Sequence, residues 1–146
     1  MTVKELSQLY YLKREIRTDE KRMAELEAQR EASGIHYDGF SHGGDTESKT
    51  EALAIEITDL NAIIYSRRVQ AIHEQARLER YITSIPDSLT REIFKYRFIS
   101  GLSWRRVAER VSEDTLMDES TVRKICYRYL KHDSDGTRNV IREDNQ

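Results

Sequence analysis

The chain has 146 residues, with 24 basic and 26 acidic side chains, 38% hydrophobic residues and one cysteine. This length fits one ordinary domain or two small ones, and the scarcity of glycine and proline predicts an all-α protein rather than a β-sandwich or an α/β enzyme. A single cysteine excludes an internal disulfide. No apolar run approaches the roughly 20 residues that span a bilayer, and the first residues lack the apolar core of a signal peptide. We therefore expect a cytoplasmic protein without a membrane partner.

The first predicted helix begins with a capping box. The Thr2 hydroxyl can accept from the backbone of Glu5, whose carboxylate can reach back. An apolar stripe with coiled-coil spacing follows: Leu9, Leu12, Ile16, Met23 and Leu26. Asp19 interrupts this stripe, and Arg30 occupies its next position. The pattern predicts coiled-coil-like packing, with an ordinary amphipathic helix as the alternative.

Residues 32–46 form a predicted reversing loop, because they contain four of the six glycines. His36 and His42 lie in this loop, and histidine is a residue type that binds metals. A flexible loop does not organise a set of metal ligands, however. We therefore expect neither a metal nor any other cofactor.

The second predicted helix runs from about Asp45 to Ser84 without a proline or glycine. A helix of about 39 residues, roughly 58 Å long, needs a packing partner. The sequence therefore predicts an antiparallel hairpin in which the first helix packs against its apolar stripe: Leu53, Ile57, Leu60, Ile64, Ala71, Leu78 and Ile85. This helix is longer than the first and carries the additional apolar residues Ile63 and Ile72. That excess predicts a homo-oligomer formed through residues 1–85.

Charge divides the chain into three predicted segments. Residues 1–85, the helical hairpin, carry 12 basic and 15 acidic side chains. Residues 86–132, a compact helical unit, carry 10 basic and 7 acidic side chains. Residues 133–146 are polar and slightly acidic, which predicts a disordered tail. The modestly basic middle segment permits nucleic-acid binding.

Helix signals place the boundaries of the compact unit. Pro86 should end the long helix at or before Ile85, and Asp87 or Ser88 should cap the next helix. Gly101 should end that helix in a left-handed conformation. The remaining boundaries are a Ser103 cap, a helix from Trp104 to Val111, a turn over residues 112–117, a cap at Asp118 or Ser120, and a last helix to about Lys131.

The last two helices have distinct inner and outer faces. Their predicted inner faces are Trp104, Val107, Ala108 and Val111 on one helix and Val122, Ile125, Cys126 and Tyr129 on the other. This pattern is typical of a helix-turn-helix, whose second helix enters the DNA major groove. The candidate DNA-binding residues on the outer faces are Arg105, Arg106, Ser120, Thr121, Arg123, Lys124, Tyr127, Arg128 and Lys131. A three-helix cap with a solvated basic face is the alternative.

Two stretches of the compact unit carry a family resemblance. Residues 93–108 read IFKYRFISGLSWRRVA, and residues 119–125 read ESTVRKI. They resemble region 4 of bacterial sigma factors, and most of residues 5–131 resembles phage late transcriptional regulators of the RinA/ArpU-like group. Two departures are a longer turn over residues 112–118 and Phe98 in place of the family's tyrosine.

The resemblance implies a sequence-specific regulator that binds double-stranded DNA at a phage late-gene promoter in a bacterial host cell. No sigma region 2 precedes the unit, so the implied role is accessory. Two alternatives remain open: a small terminase-type packaging subunit, and an interaction module that contacts host RNA polymerase.

Two further expectations concern chemistry and packing. The sequence contains no Ser/His/Asp arrangement and no phosphate-binding glycine loop, so we do not expect an enzyme. We expect Trp104 to be mostly buried, in contact with Ile93, Phe94, Val122 and Ile125. Among the outer-face residues, we expect Arg123 to read a base.

Overall fold

The computed structural model describes the backbone of residues 1–34, 45–112 and 117–143, and the side chains of 1–33, 49–112 and 117–134. Within these ranges the chain is all-α and contains no strand, which confirms the predicted fold class. The helices are α1 (Val3–Leu6), α2 (Gln8–Gly34), α3 (Asp45–Thr83), α4 (Ser88–Phe94), a π-helical turn (Lys95–Ile99), α5 (Trp104–Val111) and α6 (Glu119–Glu143). Among the described residues, no helix is both long and apolar enough to cross a membrane.

The chain divides into two compact units, and the second of them, Leu12–Ala71, contains the predicted hairpin. Its core consists of Met23 and Leu26 from α2 and Ile57 and Ile64 from α3, with Leu53 and Leu60 packed against it. These residues belong to the two predicted stripes, so the packing of α2 on α3 confirms the hairpin.

Ion pairs between α2 and α3 show that the two helices run antiparallel. Asp19 and Glu20 pair with Arg67 and Arg68, whereas Arg22, further along α2, pairs with Glu56, which is more than ten residues earlier in α3. Asp19, which interrupts the apolar stripe, is therefore at a polar contact with α3. The pairs Glu20–Arg68 and Arg22–Glu56 are exposed and contribute little stability, so apolar burial is the main contribution that holds the hairpin together.

The first compact unit combines Met1–Tyr11 with Ile72–Gln146, whereas the sequence predicted a division at residue 85. The N-terminal segment begins with the predicted capping box, in which Glu5 N donates to Thr2 Oγ1 and Thr2 N donates to Glu5 Oε2. An Arg77 Nη2–H donates to Glu5 O over 3.2 Å, which ties this segment to the end of α3. Leu6 and Leu9 are fully buried.

Helix α6 continues to Glu143, beyond its predicted end near Lys131. The described backbone of residues 133–143 thus belongs to α6, and the disorder of the tail 133–146 stays a prediction. The Tyr81 hydroxyl donates to Asp133 Oδ2 over 2.9 Å, so α6 is anchored past Lys131 by the end of α3. Burial, followed by this carboxylate, raises the pKa of Tyr81 above its ordinary value, and the phenol therefore remains a donor.

The π-helical turn Lys95–Ile99 was not predicted from the sequence. Ser100 N donates to Lys95 O over 3.0 Å, and this wider hydrogen bond inserts an additional residue into the helix that α4 begins. The turn lies beside an aromatic core in which the Phe94 ring is 5.4 Å from Phe98 and 5.5 Å from Tyr129. Because of the turn, Phe98 is buried and Arg97 is directed towards Leu102, whose carbonyl accepts from Arg97 Nη1 over 2.7 Å.

Gly101 follows this turn with φ +69°, as predicted. A side chain with a Cβ is disfavoured there, because the left-handed conformation costs an L-residue about 1–2 kcal/mol. There is space for the atom itself, since an added Cβ would lie 3.5 Å from Tyr10 Cδ2.

We therefore expect Gly101→Ala to lower the free energy of unfolding by about 1–2 kcal/mol through backbone strain. Urea denaturation followed by circular dichroism measures this change. Gly101→Asn is the matched control, because asparagine tolerates the left-handed region, and it should lose less. Equal losses for the two variants would contradict an origin in backbone conformation.

Candidate nucleic-acid interface

Helices α5 and α6 begin at the caps that the sequence predicted. Arg106 N donates to Ser103 Oγ at the start of α5 over 3.4 Å. Thr121 N donates to Asp118 Oδ1 at the start of α6 over 2.7 Å. These bonds satisfy backbone groups that a helix start leaves free. The cap at Asp118 therefore sets where the proposed recognition helix begins.

Ser112 holds the two ends of the connection between these helices. Its hydroxyl donates to Ala108 O over 2.6 Å at the end of α5 and accepts from Met117 N over 3.0 Å just before α6. Residues 113–116 of the predicted long turn lie outside the described residues. One side chain thus joins the end of α5 to the start of α6.

The inner faces of α5 and α6 are buried largely as predicted. Val107 and Ala108 on α5 and Val122, Cys126 and Leu130 on α6 are buried, whereas the predicted Val111, Ile125 and Tyr129 are partly exposed. Burial raises the pKa of the Cys126 thiol to about 12. The thiol is therefore neutral and acts as an apolar packing group.

All nine candidate DNA-binding residues are exposed: Arg105, Arg106, Ser120, Thr121, Arg123, Lys124, Tyr127, Arg128 and Lys131. Seven of them are on α6. Ser120, Lys124, Tyr127 and Lys131 recur at helical spacing and share one face, which we call the α6 outer face. Arg128, the residue after Tyr127 in sequence, lies at the edge of this face. The structure thus brings basic and hydroxyl groups together opposite the buried side of α6.

Arg123 lies at the edge of α6 that faces α5, and not at the centre of the outer face. Its guanidinium pairs with Glu119 at 2.5 Å and lies 5.9 Å from the centre of the Trp104 ring. On α5, Arg105 pairs with Glu109 at 3.2 Å. Both are exposed pairs within one helix, so each carboxylate can be exchanged for a phosphate at little cost.

Trp104 is only partly exposed, which agrees with the prediction that it is mostly buried. The Arg97 guanidinium lies over the Trp104 ring, with its central carbon 4.8 Å from the ring centre. The centres of the Trp104 and Tyr127 rings are 6.1 Å apart. Trp104 is the first residue of α5, where the π-helical turn brings Arg97 over the ring. Sequence reasoning assigned Arg97 no role, because a regular helix would have directed its side chain elsewhere.

The described residues contain no group of three histidine, cysteine or acidic side chains that could hold a metal ion. The loop histidines His36 and His42 lie outside those residues. Comparison of the chain with protein-family models, with curated proteins and with solved structures gives no match.

The Asp118 cap generates a prediction that depends on pH. Hydrogen bonds from the Thr121 side chain and backbone lower the pKa of Asp118. A lowered pKa in the folded state means that the charged cap stabilises α6 above the unfolded pKa, about 3.9. This contribution is lost as the pH falls through the folded-state pKa.

We therefore expect Asp118→Ala to lower the melting temperature at pH 7, with a difference from the unaltered chain that shrinks as the pH falls below about 4. Thermal denaturation followed by circular dichroism checks this. Asp118→Asn is the control, because an amide oxygen also caps a helix, and it should retain most of the stability at pH 7. An Asp118→Ala difference that is constant from pH 7 to pH 2 would contradict the role of the charged cap.

Proposed function

We propose that this chain is a sequence-specific, double-stranded DNA-binding transcription regulator, encoded by a phage and acting at a late-gene promoter. The observation that carries the proposal is the α6 outer face, on which Ser120, Lys124 and Tyr127 are exposed together beside the capped helix α5. Lysine and arginine neutralise phosphates and pair with guanine, and serine and threonine contact either bases or phosphates.

The sign of the charge on α6 supports this function over a merely solvated face. From 119 to 131, where the side chains are described, Glu119 is the one carboxylate, and it pairs with Arg123. The exposed surface of α2 carries both signs in turn: Arg14, Glu15, Arg17, Glu20, Lys21, Arg22 and Glu25. A solvated helix is typically mixed in this way, whereas a surface of one sign attracts a polyanion.

The target class rests on the sequence resemblance to sigma factor region 4 and to phage late regulators. Region 4 is a promoter-binding unit, so the resemblance supports a promoter as the site of action. The order of the segments, with the DNA-binding unit after the hairpin, favours a regulator over a packaging subunit.

We also propose that the regulator assembles as a homo-oligomer through α3. Its side away from the hairpin core carries a second stripe with heptad spacing: Ile55, Thr58, Ala62, Tyr65 and Val69. Ile55 is 56% exposed and Tyr65 is 72% exposed. The five residues of this stripe are uncharged. The same stripe on a second copy of the chain can therefore pack against it without burying a charge. Two copies would present two α6 outer faces to two half-sites.

For DNA recognition, we expect Lys124→Ala and Arg128→Ala to narrow the difference in affinity between specific and random duplexes by about 1–3 kcal/mol each. Arg106→Ala should instead weaken binding to all sequences alike, because phosphate contacts carry no sequence information. Fluorescence anisotropy with a duplex selected from a random library, titrated at several salt concentrations, measures both effects.

Lys21→Ala is the matched control for these variants, since Lys21 is an exposed lysine on α2, and it should leave DNA affinity unchanged. Failure of the unaltered chain to bind any duplex at low salt would overturn the proposed function. Identical behaviour of Lys124→Ala and Arg106→Ala on specific and random DNA would overturn the assignment of the groove-facing side of α6.

For assembly, we expect light scattering at tens of micromolar to give the mass of an oligomer. Ile55→Glu combined with Tyr65→Glu should shift the chain to a monomer, because it places charges in the centre of an apolar contact. Ala28→Glu, at an exposed position of α2, is the control and should leave the mass unchanged. A monomer at this concentration for the unaltered chain would contradict the proposed assembly.

A further inference from the structure

A groove with a volume of about 240 Å³ lies beside the start of α5, and none of the nine candidate residues lines it. Ser7, Tyr10 and Tyr11 line one side, and Arg97, Gly101 and Ser103 line the other. Both sides belong to the same compact unit. The groove therefore joins residues from the start of the chain to the unit that carries the α6 outer face.

The two tyrosines are held in place by burial of their neighbours. Leu6 and Leu9 are fully buried, which leaves Tyr10 42% exposed and Tyr11 55% exposed. The two rings meet edge to face, with their centres 5.4 Å apart. Neither hydroxyl has a hydrogen-bond partner among the described residues. Two ordered phenol groups thus remain available as donors at the edge of the groove.

The chemistry of the opposite side is also that of a donor surface. Ser103 Oγ accepts from Arg106 N, so its hydroxyl proton is left for another acceptor. Arg97 uses Nη1 for the Leu102 carbonyl and has further N–H groups. In the described part of the chain, the lining of this groove contains no carboxylate. Such a lining is suited to an anion and unsuited to a basic peptide.

The groove is continuous with the candidate DNA interface. The Arg97 guanidinium covers the Trp104 ring at 4.8 Å, and that ring is 6.1 Å from the Tyr127 ring on α6. Arg123 lies on the same tryptophan, 5.9 Å from its centre. The groove that Tyr10 and Tyr11 line therefore shares Arg97 with a series of aromatic and guanidinium groups that reaches the edge of α6.

We propose that this groove binds the sugar-phosphate backbone of the same DNA duplex that α6 contacts, with Tyr10, Tyr11, Ser103 and Arg97 donating hydrogen bonds to phosphate oxygens. The proposal rests on the proposed function, and it adds the start of the chain to the DNA-binding surface. Phosphate contacts of this kind position a protein on the duplex without reading sequence. The groove therefore sets the register in which α6 enters the major groove.

The test removes the two hydroxyls and keeps the rings. Tyr10→Phe combined with Tyr11→Phe should weaken binding to specific and random duplexes alike, by roughly 5- to 150-fold, the loss expected from two hydrogen bonds. Tyr96→Phe, in a partly exposed tyrosine of the π-helical turn that does not line the groove, is the matched control and should bind as the unaltered chain does. Hydroxyl-radical footprinting should show one backbone position that loses protection in the double variant only.

The outcomes separate the two proposals. Duplex binding by the unaltered chain with unchanged affinity and footprint in the double variant would overturn the groove's role and leave the proposed function standing. The same result is expected if the groove binds a protein partner instead. Absence of any duplex binding by the unaltered chain would overturn both. A thermal midpoint of the double variant equal to that of the unaltered chain establishes that weaker DNA binding does not result from unfolding.

Discussion

The buried contact between α5 and α6 is the constraint on which the candidate interface depends. Ala108 on α5 is small enough for the helices to approach closely, and Val122 and Cys126 fill the other side of the contact. Because a helix has fixed periodicity, burying these residues directs Ser120 and Lys124 to the opposite side. The position of every donor on the α6 outer face thus follows from an apolar contact that includes none of them.

The features that sequence reasoning located are those with strong local causes. Three predicted signals mark the ends of helices in the structure: Pro86, the Asp87 cap and the left-handed Gly101. The cap at Asp118 does the same for α6. Each of these signals acts over three or four residues, so the identities of neighbouring side chains are sufficient to recognise it.

The features that were missed depend on contacts distant in sequence. The extension of α6 involves Tyr81 and Asp133, which are 52 residues apart. The π-helical turn leaves no mark in the apolar spacing of residues 88–99, and without it the position of Arg97 over Trp104 could not be foreseen. The groove beside Gly101 could not be predicted either, because Tyr10 and Gly101 are distant in the chain.

Under the proposed function, the pair Arg123–Glu119 would order a charged helix edge before it meets DNA. An arginine loses side-chain entropy when it is fixed by a ligand, and a partner one turn away together with the Trp104 ring already restricts Arg123. The pair is exposed, so exchanging the carboxylate for a phosphate replaces one weak contact by another of similar type. Glu119 also repels a phosphate that approaches elsewhere along this edge. If α6 binds DNA as proposed, phosphate contact would be confined to the position where the arginine replaces its carboxylate, which would favour one docking register over its neighbours.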